Sequence, residues 1–169
     1  MDGSGLTNGY SGQAYSLAID IDPPSSVRPG VAFTLPVVLA VRPGQAASNH
    51  TLVAYVSLLD ETGTSSSTRI SGPLTLNVRS QAGNSASAYA SFRSLTIASP
   101  GRYRLRITLA VSTYSETRTV RSVNSRVIDV QAGAPLSQRP TAVQISRLQR
   151  LVPENIGISL GDIATWQQL

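Results

Sequence analysis

The side chains able to do chemistry in this chain are few and one-sided. Fourteen arginines stand against nine carboxylates, with one histidine, His50, and neither lysine nor cysteine among 169 residues. That inventory excludes a Schiff base, a P-loop ammonium, a thiolate nucleophile and a cysteine-based zinc site. One histidine cannot build a multi-histidine metal centre. Asp60 and Glu61 are adjacent, so on a strand they point to opposite faces, and Gly63 marks a turn beside them. A glycosidase needs two carboxyls facing each other across about 5–9 Å, which this pair does not supply. Asp20 and Asp22 suit a solvated turn as well as a cation. No G-x-S-x-G elbow is present, and His50, in the loop Ser48-Asn49-His50-Thr51, is the sole candidate base. These eliminations predict a protein that is not an enzyme, with no cofactor, no metal and no small-molecule substrate.

The arginines are better organised. In Arg102-Tyr103-Arg104-Leu105-Arg106-Ile107 a period of two puts the three guanidinium groups on one strand face and the apolar side chains on the other. Residues two apart on a strand are about 6.8 Å apart, close to the spacing of phosphates along one nucleic-acid strand. Such a ladder can contact a phosphate backbone. It can equally keep a solvent face soluble and protect an edge from aggregation. Arg118, Arg121 and Arg126 follow on the next strand. Arg28 and Arg42, each beside a proline and near a glycine, fall in loops, where positioned functional residues concentrate. The candidate nucleic-acid contacts are therefore Arg28, Arg42, Arg102, Arg104 and Arg106.

Strands must hold these residues. Tyr15, Leu17, Ile19 and Ile21 alternate on one face until Pro23-Pro24, because proline cannot donate to a ladder. Val31 to Val41, with Pro36 implying a bulge or an edge, is a second strand, and Leu52 to Leu59 a third. Arg69 to Val78, Ala88 to Ile97, Tyr103 to Val111 and Val120 to Val130 complete the set, with turn signals at Asp60 to Gly63, Gly83-Asn84 and Pro100-Gly101. Seven such strands predict an all-β, immunoglobulin-like β-sandwich with a short C-terminal helix. The expected organisation is a flexible N-terminus over 1–13, the sandwich over 14–134 and an apolar helical tail over 135–169. Pro140 opens the tail helix, Val143, Ile145, Leu148, Leu151 and Val152 form its apolar stripe, and Pro153 ends it. Ile156, Ile158, Leu160, Ile163 and Trp166 make a further apolar patch. The tail either packs on the sandwich or docks on a partner, and Ile145, Leu148, Leu151, Ile156, Ile158 and Trp166 are the candidate interface.

Charged residues make up 14 % of the chain, roughly half of the usual ~25 %, with a net charge of +5. The longest apolar run, Val37 to Val41, is far short of the ~20 residues that span a bilayer, so no membrane contact is expected. Residues 1–13 have no basic or apolar region of a signal peptide.

Taken in order, several stretches resemble the velvet family of fungal transcriptional regulators. Tyr15-Ser16-Leu17-Ala18-Ile19 followed by Pro24-Ser25-Ser26-Val27-Arg28-Pro29-Gly30 is similar to the family's first strand and the turn after it. Leu52 to Gly63 is similar to its central strand with an acidic turn. Leu74 to Val78 falls at its next strand. Phe92 to Ile97, and Pro100-Gly101-Arg102-Tyr103-Arg104-Leu105-Arg106-Ile107, match its glycine-x-tyrosine-arginine-leucine-arginine strand. Val127 to Val130 and Thr141 to Ile158 resemble its ending. Two of the family's stretches are missing: Gly30 runs directly into Val31-Ala32-Phe33 without a basic loop, and only Leu35-Pro36-Val37 stands where a triple proline would be. Arg28 is the one loop position that carries over a basic family residue. The resemblance implies a Rel-homology-like sandwich, a homo- or heterodimer with another velvet-type protein, and a place in nucleus and cytoplasm. It also implies double-stranded DNA as ligand and a role in development and secondary metabolism. The competing expectation is an extracellular or cell-surface immunoglobulin-like structural or adhesive module, favoured by low charge, Ser/Thr richness and the sequon Asn49-His50-Thr51.

Overall fold

The computed structural model of the chain describes residues 15–42, 51–66, 68–78, 88–112 and 115–169. The expected flexible N-terminus, the loop holding Asn49 and His50, and the Gly83-Asn84 turn lie outside these residues. In chain order the strands are β1 (Ser16–Ile21), β2 (Ser26–Val27), β3 (Val37–Arg42), β4 (Thr51–Leu59), β5 (Ser65–Ser66) and β6 (Ile70–Ser71). They continue with β7 (Thr75–Asn77), β8 (Ala88–Phe92), β9 (Thr96–Ile97), β10 (Gly101–Ser112), β11 (Thr117–Asn124) and β12 (Ile128–Val130). Helices α1 (Ala142–Leu151) and α2 (Leu160–Gln167) follow, joined through a single 3-10 turn.

The fold is all-β with two short helices. One sheet is antiparallel in the order β1-β3-β8. The larger sheet runs β2-β12-β10-β4-β5, with β11 also on β10 and β7 also on β4, and β6 pairs with β9. The two main sheets share one core. Leu39, Val41 and Phe92 from the smaller sheet cluster with Val56, Leu58, Leu105, Ile107 and Leu109 from the larger, all buried. This is a sandwich-like arrangement in which side chains of alternating strands meet between layers.

The run Val37-Val38-Leu39-Ala40-Val41 does not alternate because β3 is covered on both faces. Leu39 and Val41 enter the core between the sheets. Val38 turns the other way, into a second core with Ile21, Leu35, Leu148, Leu151, Ile158, Ile163 and Trp166. Ile21 reaches that second core through a slip in register. Ile19 pairs with Leu39 but Ile21 pairs with Val38, so the intervening Asp20 is extra. One extra residue flips the phase, which moves Ile21 off the face it shares with Ile19 in simple alternation.

Four expected strands are broken. Ala88 to Ile97 divides into β8 and β9 around Ser94, whose φ is +57°, and the two pieces join different sheets. Residues 31–36 form no strand, and β3 begins only after Pro36. The expected strand Arg69 to Val78 divides into β6 and β7 at Gly72-Pro73, where Gly72 has φ +123° and a Cβ would come within 3.0 Å of the Ser94 carbonyl. Val120 to Val130 divides into β11 and β12 around Ser125.

The tail owes its helices to their caps. The Thr141 hydroxyl accepts from the Gln144 N–H at 3.1 Å while the Gln144 side chain accepts from the Thr141 N–H at 2.9 Å. Ser159 and Asp162 repeat that reciprocal box at the start of α2. Arg147 donates to the carbonyl of the extra residue Asp20 at 3.1 Å, tying α1 to β1. Arg93 fixes α2: it donates to the Gly157 carbonyl, lies 3.4 Å from the Asp162 carboxylate, and sits 5.8 Å from the Trp166 ring centre. Each fully buried side chain of leucine size contributes about 1.5–3 kcal/mol, so the second core holds the tail far more firmly than these polar contacts.

Candidate nucleic-acid interface

β10 is the strand that positions the candidate site. Its inward residues Tyr103, Leu105, Ile107, Leu109 and Val111 are all buried in the main core, which fixes the intervening residues on the outer face. Entry to the strand needs Gly101. Its φ is +147°, and a Cβ there would stand 3.0 Å from the Tyr103 hydroxyl, which donates to the Pro100 carbonyl at 3.1 Å.

On the outer face, Arg102 lies across from Asp129 of β12, and Arg104 across from Leu59 of β4. Arg106 is flanked by Ser57 of β4 and Asn124 of β11. Two of the three guanidinium groups are oriented by neutral acceptors. Arg104 donates to the Ser125 carbonyl at 2.9 Å, and Arg106 donates through Nε to Asn124 Oδ1 at 3.3 Å. Among the described residues no carboxylate lies within salt-bridge distance of Arg102, Arg104 or Arg106.

Ser125 is the residue that pattern reading misses. Its side chain is buried, its N–H donates to the Leu105 carbonyl at 2.8 Å, and its hydroxyl accepts from the Leu105 N–H at 2.9 Å. The same hydroxyl donates to the Arg126 carbonyl at 2.7 Å. The sequence carries no signal for that break, because Ser122 stands in the same run and the apolar residues Val120 and Val123 do not alternate.

Asp60 and Glu61 border a small cleft of about 240 Å³ together with Arg102 and Arg104. Asp60 is committed to its turn. One carboxylate oxygen accepts from the Thr62 hydroxyl at 2.6 Å and from the N–H groups of Thr62 and Thr64 at 2.9 and 3.0 Å. The Thr62 hydroxyl and the Thr64 N–H hold its pKa below the usual carboxylate value. A general acid needs the opposite shift.

The remaining expected basic contacts are dispersed. Arg28 is half-buried just beyond β2 and donates to the Ala134 carbonyl, tying that turn to the segment after β12. Arg42 is exposed at the end of β3, across from Ser16, and so belongs to the other sheet. Arg102, Arg104 and Arg106 are thus brought together, and Arg42 is not among them.

The six apolar tail residues require a correction as a partner surface. Leu148, Leu151, Ile158 and Trp166 are buried in the second core, and Ile145 and Ile156 pack against it. Their apolar faces are already used by Ile21, Leu35 and Val38 of the same chain. No group of three or more potential metal-binding side chains occurs among the described residues, and no described helix is long and apolar enough to cross a membrane.

No protein-family model matches the chain, and no curated protein matches it. Among solved structures, it is similar to a DUF4426 family protein from Pseudomonas aeruginosa, at 16 % identity over 70 % of this chain and 91 % of that one, with a TM-score of 0.31. It is also similar to a family 123 glycoside hydrolase from Clostridium perfringens, at 12 % identity over 78 % of this chain, with a TM-score of 0.34. The matched region spans 29 % of that hydrolase.

Proposed function

We propose that this chain is a velvet-like regulatory domain with an immunoglobulin-like, Rel-homology-like sandwich that contacts double-stranded DNA through the outer face of β10. The observation that supports this reading is the state of Arg102, Arg104 and Arg106. They share one strand face, and the two with hydrogen bonds are held by a carbonyl and an amide oxygen rather than by carboxylates. A guanidinium held by a neutral acceptor is oriented without being neutralised, so its charge stays available to a phosphate. The velvet resemblance adds dimerisation, a nuclear and cytoplasmic place, and a regulatory rather than enzymatic role. A dimer of this kind uses faces other than the second core.

The test is fluorescence anisotropy of a labelled duplex with wild type and with the triple variant R102Q/R104Q/R106Q, both first checked for equal thermal unfolding. The reading expects the triple variant to bind at least about tenfold more weakly, since phosphate contacts dominate duplex affinity. Equal binding by the two proteins would remove the β10 face as the contact.

A further inference from the structure

Two further arginines line a cleft that none of the β10 arginines enters. This cleft of about 490 Å³ opens between the β1–β2 connection, the Ser125 break and the segment leading into α1. Its volume falls in the range of small-molecule sites. Arg126 and Arg139 line it, with Asp22 as the single carboxylate of the lining and Leu35 as its largest apolar side chain.

The walls are tied to each other. Arg126 donates to the Pro23 carbonyl at 3.2 Å. The Gln138 side-chain oxygen accepts from the Thr34 N–H at 2.8 Å, and the Gln138 N–H donates to the Thr34 hydroxyl at 2.9 Å. That pair fixes which way the Gln138 amide points. Its other end, Nε2, is buried and has no acceptor among the described residues. Arg139 is exposed and makes no hydrogen bond or ion pair among the described residues. Helix α1 begins at the rim with Thr141, so the positive end of its dipole adds to the same field.

We infer that this cleft binds a small organic anion, its carboxylate or phosphate head on Arg126 and Arg139 and a short apolar body against Leu35. The surplus of cationic donors over the lone Asp22 calls for an acceptor-rich, negatively charged group. The inference is independent of DNA binding and uses none of the β10 arginines.

The test is a two-dimensional amide NMR titration of the full chain at low salt with phenyl phosphate, benzoate and the neutral isostere benzamide. The inference expects saturable shifts at the Gln138 side-chain amide and at Leu35 and Thr141 with one or both anions, but not with benzamide. A response to phenyl phosphate alone or benzoate alone supports it and assigns the head group. R139Q, which replaces an exposed guanidinium without hydrogen bonds among the described residues by a neutral amide, should weaken that binding at least about tenfold. No saturable shift at these groups, an equal response to benzamide, or unchanged affinity in R139Q would each overturn it.

Discussion

The N–H of Leu105 donates to the hydroxyl of Ser125 at 2.9 Å, so a side chain replaces a main-chain carbonyl in the ladder beside β10. The substitution lets the neighbouring strand break into β11 and β12 while leaving no buried donor unpaired. It also turns the Ser125 carbonyl outward, where Arg104 meets it at 2.9 Å. One buried serine therefore couples the integrity of the larger sheet to the aim of a cationic side chain.

Ser125→Ala is expected to destabilise the fold by about 1–3 kcal/mol, the cost of leaving the buried Leu105 donor unsatisfied. Thermal unfolding of the variant measures it. A loss within about 0.5 kcal/mol, as for an ordinary surface substitution, would show that the hydroxyl is not needed in the ladder.

Leu148→Ala is expected to cost about 2–5 kcal/mol, because the side chain is fully buried in the second core and leaves a cavity there. Trp166, the only tryptophan, lies in the same core, so its fluorescence reports the loss directly. Removal of residues 137–169 uncovers Ile21, Leu35 and Val38 and should give a destabilised, aggregation-prone protein. A stable, monomeric truncation product would contradict the packing described.

The grip on α2 should weaken in acid. Partial burial pushes the Asp162 pKa up, but the Ser159 N–H and the Arg93 charge outweigh it and hold the carboxyl below its usual value. A carboxylate with a lower pKa in the folded state binds fewer protons there. Its contribution is complete above the unfolded value of about 3.9 and is lost as pH falls through the lower folded value. An acid titration followed by Trp166 fluorescence should show a transition in that window, flattened in Asp162→Asn. An identical transition in the variant would assign the acid sensitivity elsewhere.

How far the sequence carries depends on whether a feature is local. The alternation of β10 is legible because Tyr103, Leu105 and Ile107 all enter one core, and the outward arginines follow from it. The unbroken apolar run at Val37 to Val41 is also legible as a strand, but not its two burials. Those depend on the C-terminal helices, more than a hundred residues away. Ile21 reads as a partner of Ile19 because period two is the only local rule available, and the extra Asp20 becomes evident only against β3. The tail's apolar residues have the same appearance whether they meet this chain or another, and only the outward faces of Ile21, Leu35 and Val38 decide it. Arg42 reads as a loop residue like Arg28 because Pro43 and Gly44 follow it, whereas it ends β3 in the smaller sheet.

The salt dependence of duplex binding tests the central claim most directly. Each phosphate contact contributes a slope of about −0.9 to the logarithm of affinity against the logarithm of salt concentration. The wild type is expected to bind with a steep negative slope, and R102Q/R104Q/R106Q with one shallower by about 2.7, for three lost contacts. Parallel lines for the two proteins would show that Arg102, Arg104 and Arg106 touch no phosphate, and would contradict the account.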